Sequence, residues 1–270
     1  MKDWLNIEGK TVIVTGGASG IGKAIAKEFL DLKANVVVAD MASSGPEEFD
    51  NMENYLYVAT DVTDKPSIEN MVKKTVDKFH TIDILVNNAG INIPRLLVDD
   101  KQPLSVFELD ESVYNKIMDV NVKGVYLTAQ VAGREMVKKG SGVIVNMSSE
   151  CGLEGSEGQS IYAASKNAVN SLTRSWAKEL GKKGVRIVGV APGIMEATGL
   201  RTDSYEEALA YTRGISVDKL RSGYSSTSTT PLGRSGKLKE AADLVCYLAS
   251  DKASYVHGIT INVAGGKTRG

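Results

Sequence analysis

The sequence contains very little histidine or cysteine, with two residues of each among 270. Cys151 and Cys246 are too few for a disulfide framework, and no Cys/His spacing resembles a zinc site. No metal site is therefore expected. Because His80 and His257 are the only histidines, a mechanism that depends on a histidine base is also disfavoured.

Long apolar runs and an excess of one charge are missing as well. The longest apolar run has six residues, at 244–249, whereas a membrane span needs roughly 20. The first residues lack the apolar stretch of a signal peptide, so a cytoplasmic protein is expected. The 32 Lys and Arg and 33 Asp and Glu give a net charge of −1, unlike the basic excess of nucleic-acid-binding proteins. Neither a membrane nor a nucleic acid is an expected partner.

Short β-branched segments alternate with longer amphipathic segments along the chain. Strands are predicted at 11–15, 35–40, 55–59, 82–86, 142–147, 185–190 and 258–263. Helices are predicted at 21–32, 67–79, 112–139, 161–181 and 237–249. Most of the strands are near-continuous apolar runs, which is typical of a parallel sheet covered on both faces. The alternation predicts a single doubly wound α/β domain over residues 1–270, with about seven parallel strands and helices on both faces.

Residues 194–235 do not fit this alternation. The segment follows Pro192-Gly193, carries a helical pattern at 206–213 and includes a Ser/Thr run at 225–230. Ser204 followed by Glu207 resembles a capping box for this helix. An insertion of this length is either a substrate lid or a disordered linker, and the helical pattern favours a lid.

A glycine-rich turn with glycines at 16, 17, 20 and 22 follows the first predicted strand and opens the first helix. Glycines allow the backbone to approach a pyrophosphate, and the helix N-terminus presents free N–H groups to it. The same spacing also occurs as a plain tight turn between a strand and a helix, so its context matters. Here the strand, turn and helix stand in the order that a dinucleotide site requires.

Asp40 ends the second predicted strand, 18 residues after Gly22. A carboxylate at this place accepts hydrogen bonds from the adenosine ribose and repels a 2′-phosphate. No Arg or Lys lies within residues 16–22 to neutralise such a phosphate. NAD is therefore expected rather than NADP. Asp61 and Val62 follow the third strand, where they either meet the adenine edge or only begin a turn.

Tyr162 and Lys166 stand at i and i+4, on one face of a predicted helix. A nearby ammonium stabilises a phenolate, so the pKa of Tyr162 is expected to fall toward neutrality and allow acid/base chemistry without histidine. About one such pair is expected by chance in a chain of this composition, so the surrounding residues carry the weight. Ser149 closes the fifth strand 13 residues before Tyr162, and Asn121 lies in the long helical stretch.

Together these motifs resemble the short-chain dehydrogenase/reductase family, in order and over nearly the whole chain. The resemblance implies a Rossmann-type fold in which Tyr162 is the acid/base and Lys166 lowers its pKa and binds the nicotinamide ribose. It also implies that Ser149 polarises the substrate oxygen and that Asn121 supports a proton relay. The residues expected to contact NAD are Gly16, Ser19, Gly20, Ile21, Gly22, Asp40, Asp61, Val62, Asn88, Ala89, Gly90, Tyr162, Lys166, Pro192, Gly193 and Met195. The family often has Thr four residues after the Gly of its Pro-Gly motif, and here Ala197 stands there, followed by Thr198.

Four stretches outside these general motifs, at 93–99, 148–160, 193–213 and 263–270, resemble family members that oxidise a phosphorylated polyol. The implied partner is a small sugar phosphate, and the residues expected to bind it are Ser149, Tyr162, Arg95, Glu154, Arg201 and Arg213. Carboxylates suit the polyol hydroxyls and arginine forks suit the phosphate. Arg95 is the first choice for the phosphate, and Arg201, Arg213, Arg221 and Arg234 of the insertion are further candidates, although each could be a solvated surface residue. A lysine of the tail, Lys267, or Arg269 could also reach a neighbouring subunit's site.

Three alternatives remain open. The chain could act on another polyol, a sugar acid or a 3-hydroxyacyl thioester. It could also be a non-catalytic NAD-sensing module, although such a module would be expected to lose Tyr162 or Lys166. The apolar face of 237–249 and the last strand resemble the subunit interfaces of a homotetramer, or else they simply pack in the core.

Overall fold

The computed structural model describes residues 4–226 and 229–268. Seven strands form one sheet in the order β3-β2-β1-β4-β5-β6-β7. They are β1 (Thr11–Thr15), β2 (Asn35–Asp40), β3 (Tyr55–Ala59), β4 (Ile84–Asn87), β5 (Gly142–Met147), β6 (Val185–Pro192) and β7 (Thr260–Val263). Every neighbouring pair is parallel. The predicted doubly wound α/β fold is therefore confirmed, and the strand order reverses between β1 and β4, where such sheets bind ligands.

Nine helices longer than three residues accompany the sheet in the described part of the chain. They are α1 (Gly20–Asp31), α2 (Lys65–Phe79), α3 (Glu111–Met118), α4 (Gly124–Lys139), α5 (Cys151–Glu154), α6 (Ser160–Leu180), α7 (Asp203–Thr212), α8 (Val217–Ser226) and α9 (Leu238–Ala249). None of the described helices is long and apolar enough to cross a membrane.

The long helix predicted at 112–139 is interrupted. Asp110 caps α3 by accepting a hydrogen bond from the Val113 amide at 2.9 Å. A π-helical turn, Asp119–Lys123, then separates α3 from α4. Such turns are frequent at functional sites because the wider winding redirects one side chain. Here the turn contains Asn121, which is fully buried.

The core has two layers, one on each side of the sheet. Val12 and Val14 of β1 pack with α1 and α9 on one side, and Ile13 packs with α2, α4 and α6 on the other. This explains why the strands are apolar throughout rather than alternating. The apolar face of α9 packs against α1 within the same chain, so the interface expected on that helix is wrong and core packing is correct.

The described part of the insertion at 194–235 is folded rather than a disordered linker. Helices α7 and α8 share a small apolar cluster built on Leu209, Ala210 and Leu220. The capping box expected at Ser204 is wrong, because Ser204 lies inside the first turn of α7 and the side chain of Thr202 caps the helix instead. The Ser/Thr run begins within α8, and residues 227 and 228 lie outside the described residues.

Candidate active site

The carboxyl ends of the strands open onto a cleft of about 790 Å³. It is lined by fourteen of the residues expected to contact NAD, namely Gly16, Ser19, Gly20, Ile21, Gly22, Asp40, Asp61, Val62, Asn88, Ala89, Gly90, Tyr162, Lys166 and Pro192. Gly193 and Met195 do not line it. A Cβ on Gly193 would lie 2.6 Å from the Cβ of Ala264, and Met195 is buried with its carbonyl accepting a hydrogen bond from Arg201. The sequence thus predicted most of this surface.

The glycine-rich turn is tight enough to require glycine. A Cβ on Gly22 would lie 2.1 Å from the carbonyl oxygen of Gly16, and Gly16 itself has a φ of +62°. The side-chain amide of Asn88 donates to the carbonyls of Thr15 and Gly16, both at 3.0 Å, and so ties the end of β4 to the turn. The turn is held with its backbone facing the cleft.

Asp40 places a partly exposed carboxylate beside this turn. Its Oδ2 accepts from the Ala18 amide at 3.0 Å and its Oδ1 from the Ala42 amide at 3.1 Å. Each oxygen has a second lone pair that remains available to a ligand hydroxyl. Asp61 combines the two alternatives left open above, because its Oδ1 accepts from the amide and hydroxyl of Thr63 in a turn while the residue also lines the cleft.

Tyr162, Lys166, Ser149 and Asn121 meet at one end of the cleft. A hydrogen bond joins Ser149 to Tyr162. The Nζ of Lys166 donates to the Met147 carbonyl at 2.9 Å and lies 5.8 Å from the centre of the Tyr162 ring. A Cβ on Gly90 would lie 3.2 Å from Asn121 Oδ1 and 3.4 Å from Lys166 Nζ, so Asn121 and Lys166 flank the same point.

Asn121 is held from three directions. Its Oδ1 accepts from the Ile91 amide at 2.8 Å, and its Nδ2 donates to the Ile91 carbonyl at 2.9 Å and to the Ser165 hydroxyl at 3.0 Å. These bonds connect the π-helical turn to the segment after β4 and to α6. Asn121 is therefore a fixed side chain rather than a mobile one.

The expected effect of Lys166 on Tyr162 is not what the chain alone shows. Burial raises the pKa of Tyr162, and the hydrogen bond from Ser149 only partly opposes this shift. Burial also lowers the pKa of Lys166 to about 8. The expectation of a lowered phenol pKa is wrong for the unliganded chain because desolvation dominates and Lys166 Nζ is engaged by a carbonyl.

The buried ammonium of Lys166 should reduce the stability of the free protein. We expect Lys166→Met to raise the free energy of unfolding at pH 7 by about 1–3 kcal/mol while removing activity. The folded pKa of about 8 lies below the ordinary value of 10.5, so burial penalises the charged form below pH 8. This stability gain should fade as the pH rises from 8 to 10.5, where the lysine is neutral in both states. Denaturant unfolding at pH 7 and pH 10 measures it.

Lys178 provides the matched control, because it is an exposed lysine on the same helix. Lys178→Met should change stability by less than about 0.5 kcal/mol at either pH. A Lys166→Met variant no more stable than wild type at pH 7 would show that the Met147 contact outweighs the cost of burial.

Beyond Tyr162, a continuous set of contacts leads from Ser149 to the insertion. The Ser149 Oγ accepts from the Cys151 amide at 3.3 Å, and the Cys151 thiol lies 3.8 Å from the Gln159 side-chain oxygen. That oxygen accepts from the Ser156 hydroxyl at 2.7 Å. Arg213 Nη2 in turn donates to Ser156 Oγ at 3.4 Å.

Two tyrosines of the insertion face the same region. Gln159 donates to the Tyr205 hydroxyl at 3.0 Å, and Arg201 stacks on the Tyr224 ring at 3.8 Å. Burial raises the pKa of Tyr224, and the positive charges of Arg201 and Arg213 oppose the shift. Both arginines therefore lie near one aromatic wall on the substrate side of Tyr162.

The candidate arginines differ in whether a carboxylate already neutralises them. Arg221 pairs with Glu206 and Asp203, and Arg234 pairs with Glu240. No carboxylate of the described residues lies within ion-pair distance of Arg95, Arg201 or Arg213. These three keep their positive charge for a ligand, which makes them the stronger candidates for an anion.

Glu150 and Glu154 are used differently from the expectation that glutamates of this loop face a polyol. Glu150 is buried, and both of its oxygens accept hydrogen bonds from the chain's own tail, from Lys267 at 2.6 Å and from Thr268 at 3.1 Å. Glu154 is exposed and lies 4.0 Å from the same lysine. Lys267 thus reaches the site of its own chain, and Arg269 lies outside the described residues.

Asp99 was not singled out from the sequence, yet it is a fully buried carboxylate. It accepts from the Ser105 hydroxyl at 2.5 Å and from the Tyr211 hydroxyl of α7 at 2.8 Å. The Tyr211 ring also stacks on Phe107 with 4.0 Å between the centroids. The segment after β4 is therefore joined to the insertion by a contact across 112 residues of sequence, for which no local pattern gives a signal.

Thr198 also lines the cleft, close to Gly20. The departure at Ala197 is therefore accompanied by a threonine one residue later that faces the same space. The start of the insertion, through Thr198, Gly199 and Leu200, forms part of the cleft wall.

The sequence model described as short chain dehydrogenase matches residues 10–209. The chain belongs to this family. A short-chain dehydrogenase relative from Klebsiella pneumoniae, sorbitol-6-phosphate 2-dehydrogenase, is 54% identical over 270 residues and is covered in full, as is this chain. A 3-oxoacyl-[acyl-carrier-protein] reductase of Thermotoga maritima is 37% identical over 267 residues, covering 97% of this chain and 99% of the relative.

Among solved structures, a 3-ketoacyl-(acyl-carrier-protein) reductase from Brucella melitensis complexed with NADH is similar with a TM-score of 0.81. It is 28% identical, and the match covers 98% of this chain and 100% of that one. The protein is therefore an oxidoreductase of the short-chain dehydrogenase family with an NAD(P)-binding fold.

Proposed function

We propose that this protein oxidises the C2 hydroxyl of D-sorbitol 6-phosphate with NAD, giving D-fructose 6-phosphate and NADH. The observation that carries the proposal is the 54% identity, over the full length of both chains, to a sorbitol-6-phosphate 2-dehydrogenase. The assembled side chains of Asn121, Ser149, Tyr162 and Lys166 favour an enzyme over an NAD-sensing module, because such a module needs no acid/base group.

The cleft fits a dinucleotide that lacks a 2′-phosphate. The glycine turn leaves its backbone open to a pyrophosphate, and Asp40 has free lone pairs for ribose hydroxyls. A phosphate on the 2′ oxygen would meet this carboxylate, while the nearby Lys23 already pairs with Glu48 at 2.8 Å. We therefore propose NAD rather than NADP.

In the proposed mechanism Tyr162 removes the proton of the substrate hydroxyl. When bound, NAD supplies the acceptor for the hydride that leaves the same carbon. The O–H proton passes to Tyr162, the C–H bond breaks and a C=O bond forms. Ser149, hydrogen-bonded to Tyr162, holds the substrate oxygen beside the phenol.

Lys166 and Asn121 complete the proton path. Lys166 Nζ lies between the Met147 carbonyl and the Tyr162 ring, where its charge favours the phenolate. Asn121 fixes the Ile91 backbone next to this ammonium. A water held near the Ile91 carbonyl would carry the proton outward from Lys166.

The phosphate of the substrate is proposed to bind Arg213, with Arg201 as its neighbour. The contact path from Ser149 through Cys151, Gln159 and Ser156 ends at Arg213. Arg95, the first choice from the sequence, donates only to the adjacent Pro94 carbonyl and its Nε is buried without a partner. Arg95 therefore stays as the alternative. The insertion that carries Arg201 and Arg213 would act as a lid.

Steady-state assays decide the substrate. We expect NAD-dependent oxidation of sorbitol 6-phosphate to exceed that of free sorbitol by at least about tenfold in kcat/KM. Preferred reduction of a 3-oxoacyl thioester, the reaction in the name of the Thermotoga relative, would overturn the proposal in favour of the alternative enzyme.

The cofactor preference gives a second expected result. Asp40→Ala should weaken NAD binding about tenfold or more, since a hydrogen bond to a charged group contributes ~1.5–3 kcal/mol. It should also narrow the preference for NAD over NADP, because a repulsive charge is removed. Calorimetric titration with both dinucleotides measures the two effects.

Asp40→Asn separates charge from hydrogen bonding. It keeps one acceptor oxygen, so it should retain more NAD affinity than Asp40→Ala while still tolerating NADP better than wild type. Asp77→Ala, at an exposed carboxylate on α2, is the control. Equal use of NADP and NAD by the wild-type protein would contradict the assignment.

We further propose a cytoplasmic homotetramer. Strand β7 is a partly exposed edge strand, flanked by the exposed side chains of Tyr255 and Ile259, and can adjoin a second copy. Native mass spectrometry tests the oligomeric state, and a monomer would contradict it.

A further inference from the structure

The chain contains a second buried charged pair at the site that the proposed mechanism does not use. Glu150 directly follows Ser149 and is only 5% exposed. Lys267 Nζ donates to its Oε1 at 2.6 Å, and the Thr268 hydroxyl donates to its Oε2 at 3.1 Å. We call Glu150, Lys267 and Thr268 the tail clamp.

The tail clamp joins the ends of three neighbouring strands. After β5, the Glu150 amide donates to the Pro192 carbonyl at the end of β6, at 3.0 Å. The Gly193 amide donates to the Val263 carbonyl at the end of β7, at 2.9 Å. A Cβ on Gly193 would lie 2.9 Å from Glu150 Oε2, so the carboxylate packs directly against this backbone.

The tail itself is fixed in place before it reaches Glu150. The Asn262 side-chain amide of β7 donates to the Thr268 carbonyl at 2.9 Å. The Leu232 amide donates to the Gly265 carbonyl at 3.2 Å, which connects the tail to the end of the insertion. Lys267 and Thr268 are therefore presented to Glu150 by a segment with its own anchors.

We propose that Lys267 and Thr268 are positioning residues that set Ser149 for catalysis by holding the carboxylate of Glu150. A buried carboxylate without its cation is strongly disfavoured, so it moves toward water when the cation is removed. Ser149 precedes Glu150, and its carbonyl accepts from the Gly152 amide at 2.9 Å, so the whole segment at 149–152 would shift with it. A displacement of about 1 Å at a reacting group can lower a rate about 100-fold.

This inference rests on the proposed function only for the choice of substrate. Lys267→Met should lower kcat for sorbitol 6-phosphate by about 10- to 100-fold, with the KM and the NAD dissociation constant within about threefold of wild type. Lys267→Arg keeps a cationic donor and should retain kcat within about threefold. Thr268→Val removes one hydrogen bond and should lower kcat by only a few-fold.

The double variant Glu150→Gln/Lys267→Met tests whether the two residues act together. If Lys267 acts through Glu150, the double variant loses no more kcat than the more damaging single variant. Losses that multiply would overturn the proposal. Lys239→Met is the control, because it removes an exposed ion pair with Glu28 and Asp243 far along α9 and should leave kcat unchanged.

Hydrogen exchange of the amides at 148–155 gives a readout that needs no substrate. These amides should exchange faster in Lys267→Met than in wild type or Lys239→Met. Unchanged exchange and unchanged kcat in a folded Lys267→Met protein would refute the clamp. A wild-type protein that is inactive on sorbitol 6-phosphate would instead refute the proposed substrate, and the same exchange comparison would still decide the clamp.

Discussion

Tyr162→Phe is expected to lower kcat by at least ~100-fold while leaving NAD binding nearly unchanged. The substitution removes the phenol oxygen that hydrogen-bonds to Ser149 and keeps the ring that fills the end of the cleft. No histidine can take over the proton transfer, because the two histidines lie elsewhere. The His257 ring is engaged by the Ile187 amide and the Ala177 carbonyl, and His80 ends α2.

The measurement is steady-state oxidation of sorbitol 6-phosphate beside calorimetric titration with NAD. Tyr255→Phe, at a fully exposed tyrosine, is the matched control and should keep wild-type turnover. Because burial raises the pKa of Tyr162, oxidation by the wild type should speed up as the pH rises and the phenolate becomes populated. Wild-type turnover by Tyr162→Phe would exclude the proposed mechanism.

Arg213→Ala is expected to raise the KM for sorbitol 6-phosphate by about 10- to 100-fold. A charge-assisted hydrogen bond to a phosphate contributes ~1.5–3 kcal/mol, which corresponds to this range. Weak activity on free sorbitol should not change, because that substrate has no phosphate to lose contact with. Assays of both substrates on the same variant provide the comparison.

Arg201→Ala and Arg95→Ala extend the test to the other two arginines without a carboxylate partner. Arg234→Ala is the control, since Glu240 already neutralises this arginine. An equal loss on both substrates in Arg213→Ala would mean that Arg213 supports the lid and not the phosphate. A selective loss only in Arg95→Ala would move the phosphate to the segment after β4.

The elements that recur locally were predictable. The strands and most helices follow from apolar periodicity, and the cleft residues around Gly16, Asp40 and Asn88 follow from their places at strand ends. Parallel strands carry their carboxyl ends to one edge, so residues that end successive strands meet there whatever the rest of the chain does. Tyr162 and Lys166 share a helix face for the same local reason.

The contacts between distant segments were not predictable. Asp99 meets Tyr211 across 112 residues, and Glu150 meets Lys267 across 117. In sequence, each of these charges is indistinguishable from a solvated surface residue, and burial is set only when the segments after β4, β5 and β7 fold against one another. The pKa of Tyr162 is a similar case. Sequence spacing indicated a nearby cation, whereas packing determined that desolvation outweighs it in the unliganded chain.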